Sequence, residues 1–334
     1  MSDLSLQRRQ QLIQNFPRNR ILVIGDVMLD TFIWGRVSRI SPEAPVPIVD
    51  FEREDRMPGG AANVARNLSS LGARAIVGGA IGKDAAAKDL REGLIRENVQ
   101  CTGLITFADR LTTTKTRIIA GQQQITRLDR ETRTPLNPAQ TQRLLRQIDR
   151  LTVGAQAIVV GDYGKGAITQ ALLDFLRKSC RERGIWLSLD PKPTRDLDLR
   201  GFSLITPNRK EAFDLAGIAD TSRHSNPPKD IPLLRVSEKL LSDLKPALLL
   251  ITLGEQGMLL CQRDKKPFHI PTIAREVFDV SGAGDTVIAT FTLAIASGAS
   301  PIEAAILSNH AAGVVVGKRG TATVHPTELL ASFL

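Results

Sequence analysis

Aromatic residues make up only 4% of this 334-residue chain, which holds one tyrosine and two tryptophans. Its basic stretches, such as LLRQIDR from Leu144 and RKSCRERG from Arg177, are interrupted by acids and contain no interleaved rings on which bases would stack. Nucleic-acid binding is therefore not expected, despite a net charge of +9. Cysteine is equally sparse. Cys101, Cys180 and Cys261 are odd in number, far apart and without a CxxC spacing, which excludes a disulfide framework and a cysteine zinc site and suits a reducing cytoplasm. No apolar run approaches the length that spans a bilayer. The opening MSDLSLQRRQQLIQNFPRNR carries charges and glutamines where a secretory signal needs its hydrophobic stretch, so no membrane partner is expected. Leu4, Leu12, Ile13 and Phe16 instead outline a short amphipathic helix that docks on the body. Internal repeats and low-complexity tracts are missing, and SRHSNPPKD from Ser222 is the one linker-like stretch.

What the chain does have is aliphatic bulk. Hydrophobic residues make up 42%, and the length suffices for a substantial core with an accessory subdomain. Short β-branched runs at Ile21–Gly25, Ala75–Gly79, Ala157–Asp162, Trp186–Asp190, Leu204–Thr206 and Ala247–Gly254 alternate with helical segments at Ala61–Leu71, Ala85–Asn98, Pro138–Leu151, Thr169–Arg183 and Arg209–Leu215. Apolar strands separated by amphipathic helices predict an α/β fold whose mostly parallel sheet is covered on both faces. Ligands of such sheets gather at the carboxyl ends of the strands, where this chain places GD, GD, DPK, TPN and TLG. Residues 31–52 and 112–129 break the alternation and read as extended segments forming a small β-sheet lid. A lid would keep water from a site beneath it, and an apolar outer face on it would favour a homodimer.

The segment FDVSGAGDT, from Phe278 to Thr286, sets a carboxylate directly after a glycine-rich turn. Gly282 and Gly284 leave backbone N–H groups unobstructed, and the apolar run that follows, ended by Gly298, predicts a helix whose N-terminus favours an anion. Asp285 then stands where a general base serves phosphoryl transfer to an alcohol. Read alone, the turn is equally a structural strand-to-helix junction.

Together with GDVMLD at Gly25–Asp30, PGGAANVARNLSSLGA from Pro58 and N-x-x-E at Asn208–Glu211, the DVSGAGD segment resembles the ribokinase-like (PfkB) carbohydrate kinases, in that family's order and over nearly the whole chain. The resemblance implies one ribokinase-like three-layer α/β/α domain spanning residues 1–334, with the lid inserted in it and no nucleotidyltransferase domain. RISPEAPVPIV from Arg39, QQQITRLDRE from Gln122 and SNHAAGVVVGKRGTATV from Ser308 are similar to the branch that phosphorylates D-glycero-β-D-manno-heptose 7-phosphate at its anomeric hydroxyl for the lipopolysaccharide core. Adenylylation of that product would then fall to a separate adenylyltransferase. A kinase for fructose, ribose or a hexose phosphate, and a non-catalytic sugar or nucleotide sensor, are the alternatives. A sensor has no use for Asp285.

Residue by residue, the resemblance implies Asp285 as base, with Gly282, Ala283 and Gly284 binding the transferring phosphoryl group. It places Asp26, Asp30, Gly59, Gly60, Asn63 and Asp162 at the sugar. Asn208 and Glu211 would organise Mg²⁺ beside ATP, while Thr252, Gly254, Gly257 and Asn309 would contact the nucleotide; a monovalent cation is left open. Two bland readings compete: Asp30 as a turn cap, and Asn208 with Glu211 as a capping box. A phosphorylated sugar needs a cationic anchor, for which Lys115, Arg117, Arg127 and Lys165 are candidates, each equally a surface charge of the lid. Walker A is absent, because GVVVGKR from Gly313 is one residue short and lacks the Ser/Thr, so Lys318 is expected to be structural or near the base. Pro193, where the resembled kinases tend to carry Gly, puts the role of Lys192 in doubt.

Overall fold

The computed structural model describes residues 4–121, 123–193, 196–274, 277–318 and 320–334; Gln122 and Arg319 of the resemblance segments, and Thr194 of DPKPT, lie outside them. After helix α1 (Leu6–Gln14), strand β1 (Arg20–Gly25) passes almost directly into β2 (Val27–Ile40), which returns as β3 (Pro47–Gly60) and enters α2 (Ala61–Ser70). Next come β4 (Arg74–Ile81), α3 (Ala85–Arg96), β5 (Gln100–Thr106), the hairpin β6 (Thr113–Ala120) and β7 (Gln123–Arg130), α4 (Pro138–Thr152), β8 (Ala157–Gly161), α5 (Gln170–Arg183) and β9 (Trp186–Asp190). The remainder is β10 (Leu204–Ile205), α6 (Arg209–Ala216), α7 (Ile231–Asp243), β11 (Leu248–Thr252), β12 (Met258–Cys261), β13 (Phe268–Ile270), α8 (Ala283–Ala296), α9 (Pro301–Val316) and α10 (Pro326–Ala331).

Nine strands form one sheet in the order β13-β12-β11-β10-β9-β8-β1-β4-β5, parallel from β11 to β5 and closed at the other edge by antiparallel β12 and β13. Both faces are apolar because successive side chains alternate. Ile21 and Val23 join Ala157 and Val159 in a core covered by α2, α3, α8 and α9, whereas Leu22 and Ile24 join Ile158 and Val160 in a second core under α4 to α7. Three layers result. Helix α8 is apolar all round and lies deepest in the first core, where Phe291 has no exposed surface; burying that ring contributes about 2–3 kcal/mol. Such a foundation fixes the N-terminus of α8, and with it Asp285. Cys101, Cys180 and Cys261 are free thiols. Among the described residues no helix is long and apolar enough to cross a membrane.

The lid is a second sheet of order β3-β2-β6-β7, two antiparallel hairpins joined by the parallel pair β2/β6. Its first hairpin begins at Val27 and ends at Gly60, so Asp30 stands within a strand rather than at a turn after β1. Partners in register share a face. Asp30, Phe32 and Trp34 of β2 therefore stand beside Lys115, Arg117 and Ile119 of β6, with Asp129 and Arg127 of β7 next in line. Trp34 lies near-parallel to Phe32, carries the Arg53 guanidinium over its ring and donates Nε1–H to Asp55 at 2.7 Å. At the free edges of the lid Phe51 and Leu128 are more than half exposed.

Candidate active site

Helix α8 opens on Gly282, whose φ of +81° is a backbone state that favours glycine; a Cβ there would also stand 2.8 Å from Asn63 Nδ2. One turn later, Asp285 is half-buried, accepting Asn63 Nδ2–H on Oδ2 at 2.7 Å and the Tyr163 hydroxyl on Oδ1 at 2.6 Å. Burial raises its pKa to about 6, against the opposing pull of the bonds from Asn63 and Tyr163. A carboxylate poised there is ionised at neutral pH and still basic enough to take a hydroxyl proton. Of the three amides of the turn, that of Ala283 donates to the Val280 carbonyl at 3.2 Å. Asn63 is fully buried, and its Oδ1 has no partner among the described residues.

Asp26, expected on the sugar, has both carboxylate oxygens bonded to the loop after β8. Oδ1 accepts from Ala167 N–H at 2.8 Å, while Oδ2 accepts from Tyr163 N–H at 3.0 Å and Lys165 N–H at 2.8 Å. The aspartate that follows β1 thus shapes the loop after the neighbouring strand β8. Asp162, buried in that loop, accepts from Gly164 N–H at 2.9 Å. Asp190, at the end of β9, lies across the Tyr163 phenol from Asp285; burial, then the charges of Asp285 and Glu211, push its pKa well above the usual carboxylate range.

The lid face described above closes over this point. Asp30 and Lys115 are close enough for their charges to act on Asp285. Gly59 lies against the Asp30 carboxylate, which binds Arg117 Nη1 at 2.6 Å. Asp30 is therefore an ion-pair partner within a strand, not the turn cap the sequence allowed. Arg127 grips Asp129 through two bonds of 2.8 and 2.9 Å, and Lys165 reaches Glu131 at 2.5 Å. Lys115 alone of the four has no ion pair among the described residues. Burial lowers its pKa, as do the charges of Lys165 and Arg127, against support from Asp30 and Asp129.

On the opposite side of Asp190, Asn208 and Glu211 form a reciprocal capping box on α6: Asn208 Oδ1 accepts from Glu211 N–H at 2.9 Å, and Glu211 Oε2 accepts from Asn208 N–H at 3.1 Å. The remaining oxygen of Glu211 takes Lys192 Nζ at 3.1 Å. An isolated β-bridge sets Asn208 beside Thr252, and the turn carrying Gly254 and Gly257 follows. Asn309 of α9 donates to the Pro271 carbonyl at 2.8 Å and lines a cavity of about 410 Å³; a neighbouring one of about 630 Å³ runs past Ile273, Gly313 and Gly317. Lys318 is structural, bound to the Thr323 carbonyl and Glu328.

Residues 18–328 match the model of the pfkB family of carbohydrate kinases. This chain belongs to that family. The kinase is 44% identical over 312 residues to the bifunctional protein HldE of Citrifermentans bemidjiense, and 43% identical over 316 residues to that of Caulobacter vibrioides. These matches take in 93% and 95% of the kinase but only 63% and 64% of the two relatives, so the chain spans less than two thirds of their length. Among solved structures, Escherichia coli phosphofructokinase-2 superposes with a TM-score of 0.77 at 20% identity, covering 94% of this chain and 98% of that one. Arabidopsis thaliana ribokinase gives 0.73 at 19%, covering 94% and 98%. The fold is ribokinase-like, and the enzyme is a phosphotransferase acting on a sugar hydroxyl.

The structure brings Asp285, Asn63, Asp30 and Lys115 near one another and keeps Asn208, Glu211, Thr252 and Gly254 together along the strand ends beyond Asp190. Tyr163 and Asp190 were not singled out by the sequence. Their signal was faint: the only tyrosine of the chain, set among glycines at a strand end, and a DP step at another.

Proposed function

We propose that the kinase transfers the γ-phosphoryl group of ATP to the anomeric hydroxyl of D-glycero-β-D-manno-heptose 7-phosphate, giving the 1,7-bisphosphate that leads to ADP-heptose and the lipopolysaccharide core. The observation that carries this reading is Lys115: an unpaired, half-buried cation beside Lys165 and Arg127, on the lid face whose charges reach the base. A cation held out of water in this way favours a doubly charged ligand group, and a sugar entering with its hydroxyl at Asp285 would carry its own phosphate toward the lid.

In this mechanism Asp285 Oδ accepts the proton of the attacking hydroxyl, while the amides at the N-terminus of α8 and the helix dipole stabilise charge on the phosphoryl oxygens. A divalent metal such as Mg²⁺ would neutralise the nucleotide phosphates. No group of three or more His, Cys, Asp or Glu placed to hold a metal exists among the described residues, so the donor set fits an ion carried by phosphates and water with Glu211 nearby, rather than a protein cage. Glu211→Gln should raise the concentration of Mg²⁺ needed for half-maximal rate; an unchanged titration would remove Glu211 from this role.

ADP release should be measured against D-glycero-D-manno-heptose 7-phosphate, sedoheptulose 7-phosphate, fructose 6-phosphate, fructose and ribose, with the new phosphate located by ³¹P NMR. Turnover confined to the heptose phosphate, with an anomeric phosphate signal, is the expected result. Preference for fructose 6-phosphate would keep the lid anchor and discard the heptose; preference for ribose or fructose would discard both. The apolar lid edge with Phe51 supports a homodimer, so light scattering should give about twice the 36.4 kDa chain mass, and a single-chain mass would exclude it.

A further inference from the structure

We propose that Tyr163 is a positioning residue of the phosphoryl transfer: a slot built from two glycines seats its ring, and its hydroxyl fixes the carboxylate of Asp285. The inference rests on the reading of Asp285 as the base. Tyr163 reaches Asp285 Oδ1 from the loop after β8, at 2.6 Å, while Asn63 holds Oδ2 from α2 at 2.7 Å. Two donors on two oxygens, from elements on opposite sides, leave the carboxylate one orientation in its plane.

The phenol in turn has little freedom. A Cβ on Gly161 would stand 2.9 Å from Tyr163 Cε2, closer than a side chain there could sit, and one on Gly60 would crowd Cδ2 at 3.3 Å, so the ring packs against both glycines and most closely against Gly161. Its backbone is pinned by the bond from Tyr163 N–H to Asp26, the same carboxylate that holds Lys165 and Ala167. Asp26 and Gly60 thus both bear on the placement of Tyr163.

Among the described residues, Asp30 and Lys115 act on Asp285 from the lid strands, and Asp190 lies beyond the phenol on β9 with Glu211 next to it. A phenol donating to the ionised carboxylate favours that form, so its loss raises the pH at which Asp285 gives up its proton.

Tyr163→Phe keeps the ring and removes only the hydroxyl. The expected result is a kcat about 10-fold lower with both KM values within about twofold, and an acid limb of kcat/KM displaced upward by roughly half to one pH unit. A parental kcat and a superimposable pH profile would overturn the proposal. Gly161→Ala tests the slot without touching the hydroxyl: it should lower kcat in the parent and cost nothing further in a Tyr163→Ala background, whereas equal losses in both backgrounds would overturn the slot. Asp285→Asn, assayed in parallel, separates the two readings. An active Asn variant defeats the base assignment itself; an inactive one beside a parental Tyr163→Phe defeats only the positioning role.

Discussion

Asp285→Asn should lower kcat by about 10³–10⁴ while leaving the KM for ATP within a few-fold of the parent, because it removes proton acceptance and keeps the shape of the site. The parental rate should itself fall below pH 6, the value to which burial raises this carboxyl. The sign follows from which form reacts: only the ionised base accepts a proton, so activity is present above the folded-state pKa and lost as pH falls through it. Stability runs the other way. A carboxyl whose pKa rises on folding binds its proton more tightly in the native state, so between about pH 4 and pH 6 rising pH costs native stability, and the cost is complete above 6. The Asn variant should therefore unfold at a temperature no lower than the parent at pH 7.5. Such a pairing, activity lost and stability kept, is the mark of a site strained for function. A variant that retains the parental rate, or that melts well below it, would contradict the assignment.

Lys115→Met should reduce kcat/KM for the phosphorylated sugar by about 10- to 100-fold, chiefly through KM, since a charge-assisted bond to a phosphate contributes about 1.5–3 kcal/mol. The same change should hardly alter the slow reaction of an unphosphorylated analogue. Methionine retains the apolar stem, so packing of the lid is preserved while the charge is lost. Because burial depresses the pKa of Lys115, the parent should lose affinity for sugar phosphate at alkaline pH, as the ammonium gives up its proton; this limb should be missing in the Met variant. Equal losses with phosphorylated and unphosphorylated sugars would show that the side chain serves the lid and not the ligand.

The body of the fold was legible because its strands are short aliphatic runs buried on both faces, and each predicted parallel strand occurs within a few residues of its expected limits. Strand β5 and the small hairpin β12/β13 were not marked, since QCTGLIT is interrupted by polar residues and a glycine and lacks an aliphatic run, and MLLC and FHI are brief. Helix α7 was hidden beside the polar SRHSNPPKD, although Leu233, Val236 and Leu240 recur at helical spacing. At the site, the glycine turn and its carboxylate could be read locally, because both lie within nine residues of chain. Contacts between Asp26 and the 163–167 loop could not. They join positions more than 130 residues apart through the adjacency of β1 and β8, which the sequence implies only as one of several strand orders. The Asn208–Glu211 pair shows the opposite case, where a local pattern was legible and its cap is fully formed.

The two indoles of the chain are divided between its two sheets. Trp34 lies on the lid face, against Phe32 and under the Arg53 guanidinium, whereas Trp186 sits in the body with its Nε1–H on Ser188. Emission from the first responds to whatever alters the lid, and emission from the second to the integrity of the central sheet. The molecule therefore carries a native optical reporter for each part, and removing Trp186 isolates the lid signal without a foreign label.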